Sequence, residues 1–183
     1  DYVGTATYNM SITAKSLTSS DIKFADIDAQ KWTGSASKPA LVITDGTYTL
    51  VEGKDFKATW KDNVSVGNAT VTVEGINGRY KDKLQKNFAI SSKSISDGKI
   101  VNNYKPSTKN DLSGYTAADS VLKNEMYNDG KDVKATFAVV DANNNKLEEG
   151  RDYTVEYKDN KNVGTATITI TGKGSYEGTL TTT

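Results

Sequence analysis

The chain repeats itself, and this repeat constrains its fold more than any other feature. Leu50-Val51-Glu52-Gly53-Lys54-Asp55-Phe56 returns as Leu147-Glu148-Glu149-Gly150-Arg151-Asp152-Tyr153. The register holds through Trp60-Lys61-Asp62-Asn63 against Tyr157-Lys158-Asp159-Asn160, and through Val66–Val73 against Val163–Ile170. Self-similarity at a fixed period marks stacked or tandem modules, each one supersecondary unit or more. It also supplies an internal control. A residue found in both copies is assigned to the fold, and a site particular to this chain is expected where the copies differ.

The repeated stretch has the period of a strand. Phe56, Ala58 and Trp60 alternate with polar residues, a turn follows at Asp62-Asn63-Val64-Ser65, and Ala69, Val71 and Val73 return. The second copy does the same with Tyr153, Val155 and Tyr157, the loop Lys158–Asn162, and Ala166, Ile168 and Ile170 between threonines. Alternation bounded by turn residues predicts two β-hairpins. Leu41-Val42-Ile43 and Phe137–Val140 read as a further pair of equivalent strands, followed by turns at Asp45-Gly46-Thr47 and Asp141–Asn145. Trp32-Thr33-Gly34 aligns with Tyr127–Gly130. A supply of Thr, Val, Tyr, Gly and Asn with only two prolines is a strand-and-turn composition, so the expected class is all-β.

A third trace sits at the start. Tyr2–Ile12 matches Tyr80–Ile90 at a constant offset of 78, pairing Asn9 with Asn87, Met10 with Phe88 and Ile12 with Ile90. The offset persists as Lys15/Lys93, Leu17/Ile95 and Ile22/Ile100. Residues 1–12 therefore read as the last strand of a preceding repeat, with modules at 13–91 and 92–183 joined at Ser91-Ser92-Lys93-Ser94. The second module shows no counterpart of Phe88-Ala89-Ile90. About seven short strands in each module is a sandwich signature. The pairs Phe56/Tyr153, Trp60/Tyr157 and Trp32/Tyr127 are expected to carry much of each core.

Composition removes whole classes of chemistry. Basic and acidic residues balance at 23 each without a block of one sign, so nucleic acid is not an expected partner. No apolar run is long enough to cross a bilayer as a helix. The chain has no cysteine and no histidine, which excludes disulfides, thiol nucleophiles, thiolate and imidazole metal sites and imidazole bases.

The shared pattern G-x-D-[YF]-x-x-x-[YW]-K-D-N-x-x-V-G-x-A-T-[VI]-T-[VI]-x-G, followed by a Tyr, resembles the immunoglobulin-like repeats of secreted and cell-surface Gram-positive proteins. It covers Leu50–Ile90 and Leu147–Thr183 well, Ile22–Leu41 moderately and residues 101–126 not at all. The resemblance implies two tandem immunoglobulin-like β-sandwich modules at the cell surface or wall, neighbouring modules as partners, and no cofactor. It names no ligand, because many spacers share one fold.

Against that background each candidate site has a plainer reading. Asp45/Asp141, Glu52/Glu149, Asp55/Asp152 and Asp62/Asp159 could supply the paired carboxylates of a glycosidase, but their recurrence at turns points to loop hydrogen bonds, and no enzyme is expected. Asp159–Asn162 and Asp141–Asn145 offer oxygen ligands for calcium without the spacing of a known loop, and turn chemistry accounts for them. Trp32 and Trp60 stand where the other copy has Tyr, which favours core over sugar stacking. Asn9/Asn87 is a conceivable acceptor for a Lys–Asn amide crosslink. The copies part at Val101–Met126, an insertion in the second module with Tyr104 and Tyr115, where Thr116–Met126 has the pattern of a short capped helix.

The expected function is that of a spacer presenting an adhesin or enzyme away from the wall. The alternative is a carbohydrate- or host-protein-binding module acting through Tyr104 and Tyr115 of the insertion. Strand exchange through residues 1–12 is a further expectation, because that segment is a strand without its module.

Overall fold

A computed structural model describes residues 3–102 and 125–183. Tyr104, Tyr115 and the helix pattern of 116–124 lie outside the described residues. Those that are described contain no helix; the protein is all-β, and it divides into two compact units, Asp1–Ile90 and Ser91–Thr183.

The first unit holds β1 (Lys15–Ser16), β2 (Ile22–Phe24), β3 (Gln30–Lys31), β4 (Ile43–Asp45), β5 (Tyr48–Thr49), β6 (Phe56–Lys61), β7 (Gly67–Gly75), β8 (Tyr80–Lys81) and β9 (Lys83–Ser91). They form sheets in the orders β3-β9-β7-β6 and β2-β4-β5, with β1 parallel to β8. The second unit holds β10 (Lys93–Ser94), β11 (Lys99–Asn102), β12 (Phe137–Val140), β13 (Tyr153–Lys158), β14 (Thr167–Gly172), β15 (Tyr176–Glu177) and β16 (Thr179–Thr182). Its sheets run β13-β14-β16 and β11-β12, with β10 parallel to β15.

Both hairpins form in one register. Phe56 pairs with Gly75 and Trp60 with Val71; Tyr153 pairs with Gly172 and Tyr157 with Ile168. Period-two alternation dictates the packing, since successive side chains point to opposite faces. Leu17, Ile22, Ile43, Leu50, Phe56, Val71, Val73 and Tyr80 make one core. Their repeat counterparts Ile95, Leu147, Tyr153, Ile168, Ile170 and Tyr176 are buried in the second unit.

The glycine that ends each hairpin pattern is forced by close approach. A Cβ on Gly75 would lie 2.4 Å from the Tyr80 carbonyl carbon, and one on Gly172 would lie 2.8 Å from the Glu177 nitrogen. The short strand β8 or β15 thus lies directly over the end of the hairpin.

Several expectations change in the structure. Strand β4 starts at Ile43, two residues later than the apolar run Leu41–Ile43, and includes Asp45. Val101 and Asn102 belong to β11, pairing with Ala138 and Phe137, so the insertion begins after them. The match of Ile22 to Ile100 slips: Ile22 pairs with Asp45, whereas Gly98 is the residue lying against Asp141. The loop before that strand is therefore two residues shorter in the second unit. Tyr127 is exposed rather than in the core. Residues 3–14 form no strand, and Tyr8, Met10 and Ile12 face solvent.

Candidate functional site

The densest polar chemistry is a cluster that occurs in both units. Lys15 Nζ donates to Asp45 Oδ1 at 2.6 Å, and the Tyr80 hydroxyl donates to Asp45 Oδ2 at 3.2 Å. In the second unit Lys93 Nζ donates to Asp141 Oδ2 at 2.7 Å, with the Tyr176 hydroxyl at 3.4 Å. The parallel pairs explain the meeting: Lys15 lies opposite Tyr80 and Lys93 opposite Tyr176, while the end of the neighbouring strand brings the aspartate.

The second cluster is the more enclosed. The Asp141 side chain is 2% exposed and that of Asp45 21%. Asp141 Oδ1 also accepts the amides of Asn143 and Asn145, so it closes the turn that the sequence places there. Burial alone would push Asp141 up. The Lys93 ammonium and the Asn145 and Asn143 donors outweigh burial and hold the carboxyl down to about 2. Burial pushes the Tyr176 phenol up to about 12, which keeps its proton in place for donation.

A further recurrent carboxylate closes the Glu-Gly-x-Asp loop. Asp55 Oδ2 accepts the Val51 amide at 2.9 Å and the Tyr48 hydroxyl at 2.8 Å, and Arg79 stands 3.0 Å from Oδ1. Asp152 Oδ2 accepts the Glu148 amide at 2.9 Å, but its guanidinium comes from the adjacent Arg151, at 2.7 Å. Burial opposes ionisation of both acids, yet both are held below the usual carboxylate range by these donors and cations. The Asn of the shared Lys-Asp-Asn turn is likewise structural. Asn63 Nδ2 donates to the Ser37 carbonyl and Asn160 Nδ2 to the Val133 carbonyl, both at 2.8 Å. The preceding Asp62 and Asp159 sit at φ 57° and 60°, a left-handed conformation that Asp tolerates.

These contacts define what the carboxylates can do. Among the described residues, each carboxyl with a resolved shift is displaced downward: Asp26, Asp45, Asp55, Glu74, Asp141 and Asp152. Of the calcium candidates, both oxygens of Asp141 are engaged by protein donors, and no cluster of three or more acidic residues able to hold a metal occurs among the described residues. Asn87 is exposed and its Oδ1 accepts from Thr70 Oγ1 at 2.9 Å, whereas an amide crosslink needs a buried Asn. Trp60 meets Phe88 edge-on at 5.8 Å, and Trp32 and Trp60 are half-buried against the cluster of Ala69, Phe88 and Ile90.

Sequence reasoning found Asp45/Asp141 but gave them only a turn role. It missed their lysine and tyrosine partners, although Lys15/Lys93 and Tyr80/Tyr176 recur as well. What it could not supply was the parallel pairing that brings three separated positions together.

A cavity of about 480 Å³ lies in the second unit, lined by Tyr127, Val133, Tyr157, Ala166, Ile168 and Thr183 among others. Two of its lining residues, Tyr157 and Ala166, are the repeat counterparts of Trp60 and Ala69, which meet Phe88 in the first unit. No family model, curated protein or solved structure matched the chain.

Proposed function

We propose that the chain is a pair of tandem immunoglobulin-like β-sandwich modules acting as a non-catalytic spacer in an extracellular bacterial surface protein, holding an adhesin or enzyme away from the cell wall. The observation that carries this reading is the duplication of the polar clusters. Lys15–Asp45–Tyr80 and Lys93–Asp141–Tyr176 do the same work in each unit, fastening a short parallel strand to the rest. A catalytic or recognition site would break that duplication, because one copy would have groups the other lacks. Glycan arrays and host-protein panels probed with the full chain test the reading: no saturable ligand is expected, and a micromolar one would overturn it.

A second reading rests on the exposed Met126 and Tyr127, which border the cavity at the end of the insertion. On that reading the insertion binds carbohydrate or a host protein through Tyr104 and Tyr115. A ligand found in the screen should then lose affinity with Tyr104→Ala and Tyr115→Ala while the melting temperature stays put. Equal loss of stability in both variants would place the rings in the core instead.

A further inference from the structure

We infer that the two Lys–Asp–Tyr clusters are shear clamps, which keep the strands of each unit from sliding apart when the chain is stretched along its length. The inference rests on the spacer reading, in which tension between an anchor and whatever the chain presents passes through both units.

The path of that tension follows from the strand order. In the first unit the chain enters at β1 and leaves through β9 into Ser92 and Lys93. Strand β1 lies parallel to β8, with Lys15 opposite Tyr80 and Ser16 opposite Lys81. Only Asp82 separates β8 from β9, and its carbonyl accepts the Gly75 amide, which keeps the line unbroken beside β7. Entry at Lys15 and exit at Ser91 therefore stand at opposite ends of one strand line, roughly 30 Å apart at the usual rise per residue. Tension draws β1 back toward its start and β8 onward toward its end. Parallel neighbours pulled in opposite senses along their axes share the load among all their bonds at once, whereas a hairpin pulled at its open end yields one bond at a time. The second unit repeats the arrangement: β10 lies parallel to β15, and only Gly178 parts β15 from β16.

The main chain alone offers little resistance over so short a pairing. Lys15 N donates to the Arg79 carbonyl at 3.0 Å and Leu17 N to the Lys81 carbonyl at 2.9 Å; Lys93 and Ile95 donate to Ser175 and Glu177 at 2.9 and 2.8 Å. The carboxylate supplies a cross-brace. Lys15 on one strand and Tyr80 on the other donate to the same Asp45, so sliding breaks both bonds. Lys93, Tyr176 and Asp141 do likewise. Two residues after each lysine sits a buried apolar side chain, Leu17 at 1% and Ile95 at 0% exposed. A slip of one residue would turn it to the opposite face and out of the core.

Single-molecule unfolding at constant force tests the inference, because forced unfolding is governed by the unfolding rate. The chain has no cysteine, so Thr13→Cys and Thr183→Cys fix the points of pull, and the longer second unit gives the longer step. Lys15→Met should unfold the first unit roughly tenfold faster or more, the worth of a charge-assisted hydrogen bond, and leave the longer step alone. Lys93→Met should do the reverse. Tyr80→Phe keeps the buried ring and gives a second reading should Lys15→Met not fold; it should speed the shorter step severalfold. Asn63→Ala, whose bond to Ser37 lies off the path of tension, should lower equilibrium stability yet leave both forced rates within about twofold. Rates indifferent to the lysines and to Tyr80, or an equal speeding by Asn63→Ala, would overturn the clamps. Those rates do not depend on the ligand screen, which bears on the spacer reading alone.

Discussion

The two units hold the same recurrent aspartates and surround them differently. Asp55 takes its guanidinium from Arg79, beyond β7, and a hydroxyl from Tyr48; Asp152 takes its guanidinium from the neighbouring Arg151. Asp45 is tied to Lys15 and Tyr80 but remains partly open, whereas Asp141 gains the Asn143 and Asn145 donors and is closed off. At Asp45 and Asp141 the lysine and the tyrosine are kept; at Asp55 and Asp152 what is kept is the carboxylate and the loop amide it accepts. The cation is interchangeable in position because its task is to offset desolvation of the carboxylate, and charge does that from any direction within a few ångströms.

The largest expected break in this symmetry is Asp141→Ala. It leaves the half-buried Lys93 ammonium unpaired and two turn amides without an acceptor, a loss of about 3 kcal/mol. Asp45→Ala should cost less, because its lysine reaches Asp21 as well and the site is wetter. The units can be read separately, since both tryptophans, Trp32 and Trp60, lie in the first. Denaturation followed by tryptophan fluorescence should shift with Asp45→Ala alone. Circular dichroism should report the loss in Asp141→Ala while the fluorescence transition stays in place.

Acid sharpens the same contrast with a smaller effect. Asp141 has a folded pKa of about 2, below its unfolded value, so its contribution is fully present above roughly pH 4. It is lost as pH falls from there through the folded value, and amounts to about 2 kcal/mol. Carboxyl chemical shifts of Asp141 should titrate near pH 2 in the folded chain, and in Lys93→Met the midpoint should move upward.

The smallest effect is expected at the turn asparagines. Asn63→Ala and Asn160→Ala each remove one side-chain bond to a neighbouring carbonyl, worth about 1 kcal/mol by equilibrium denaturation. Near-equal losses would support equivalent turns; a far larger loss at Asn160 would show that this loop also holds the cavity wall formed by Val133.

Legibility in the sequence followed the range of the interaction. The hairpins at Phe56–Gly75 and Tyr153–Gly172 were readable because alternation and turn residues are local. The glycine ending each pattern was readable as shared, but its cause, a strand passing within van der Waals distance, was not. The boundary of β4 was missed because Asp45 looks like a turn residue until Lys15 and Tyr80 neutralise it within the sheet. Tyr127 was assigned to the core by alignment with Trp32, yet it is exposed. In the first unit Trp32 packs against the cluster of Ala69, Phe88 and Ile90.

By itself the sequence determined the all-β class, the repeated hairpins and the fact that most distinctive residues belong to architecture, since each of these follows from periodicity or from comparing copies. Only the tertiary structure decided that Lys15, Asp45 and Tyr80 form one cluster with a twin at Lys93, Asp141 and Tyr176. That meeting depends on parallel pairing between strands more than sixty residues apart, Lys15 with Tyr80 and Lys93 with Tyr176, and contacts at that separation leave no local periodic signal in the chain.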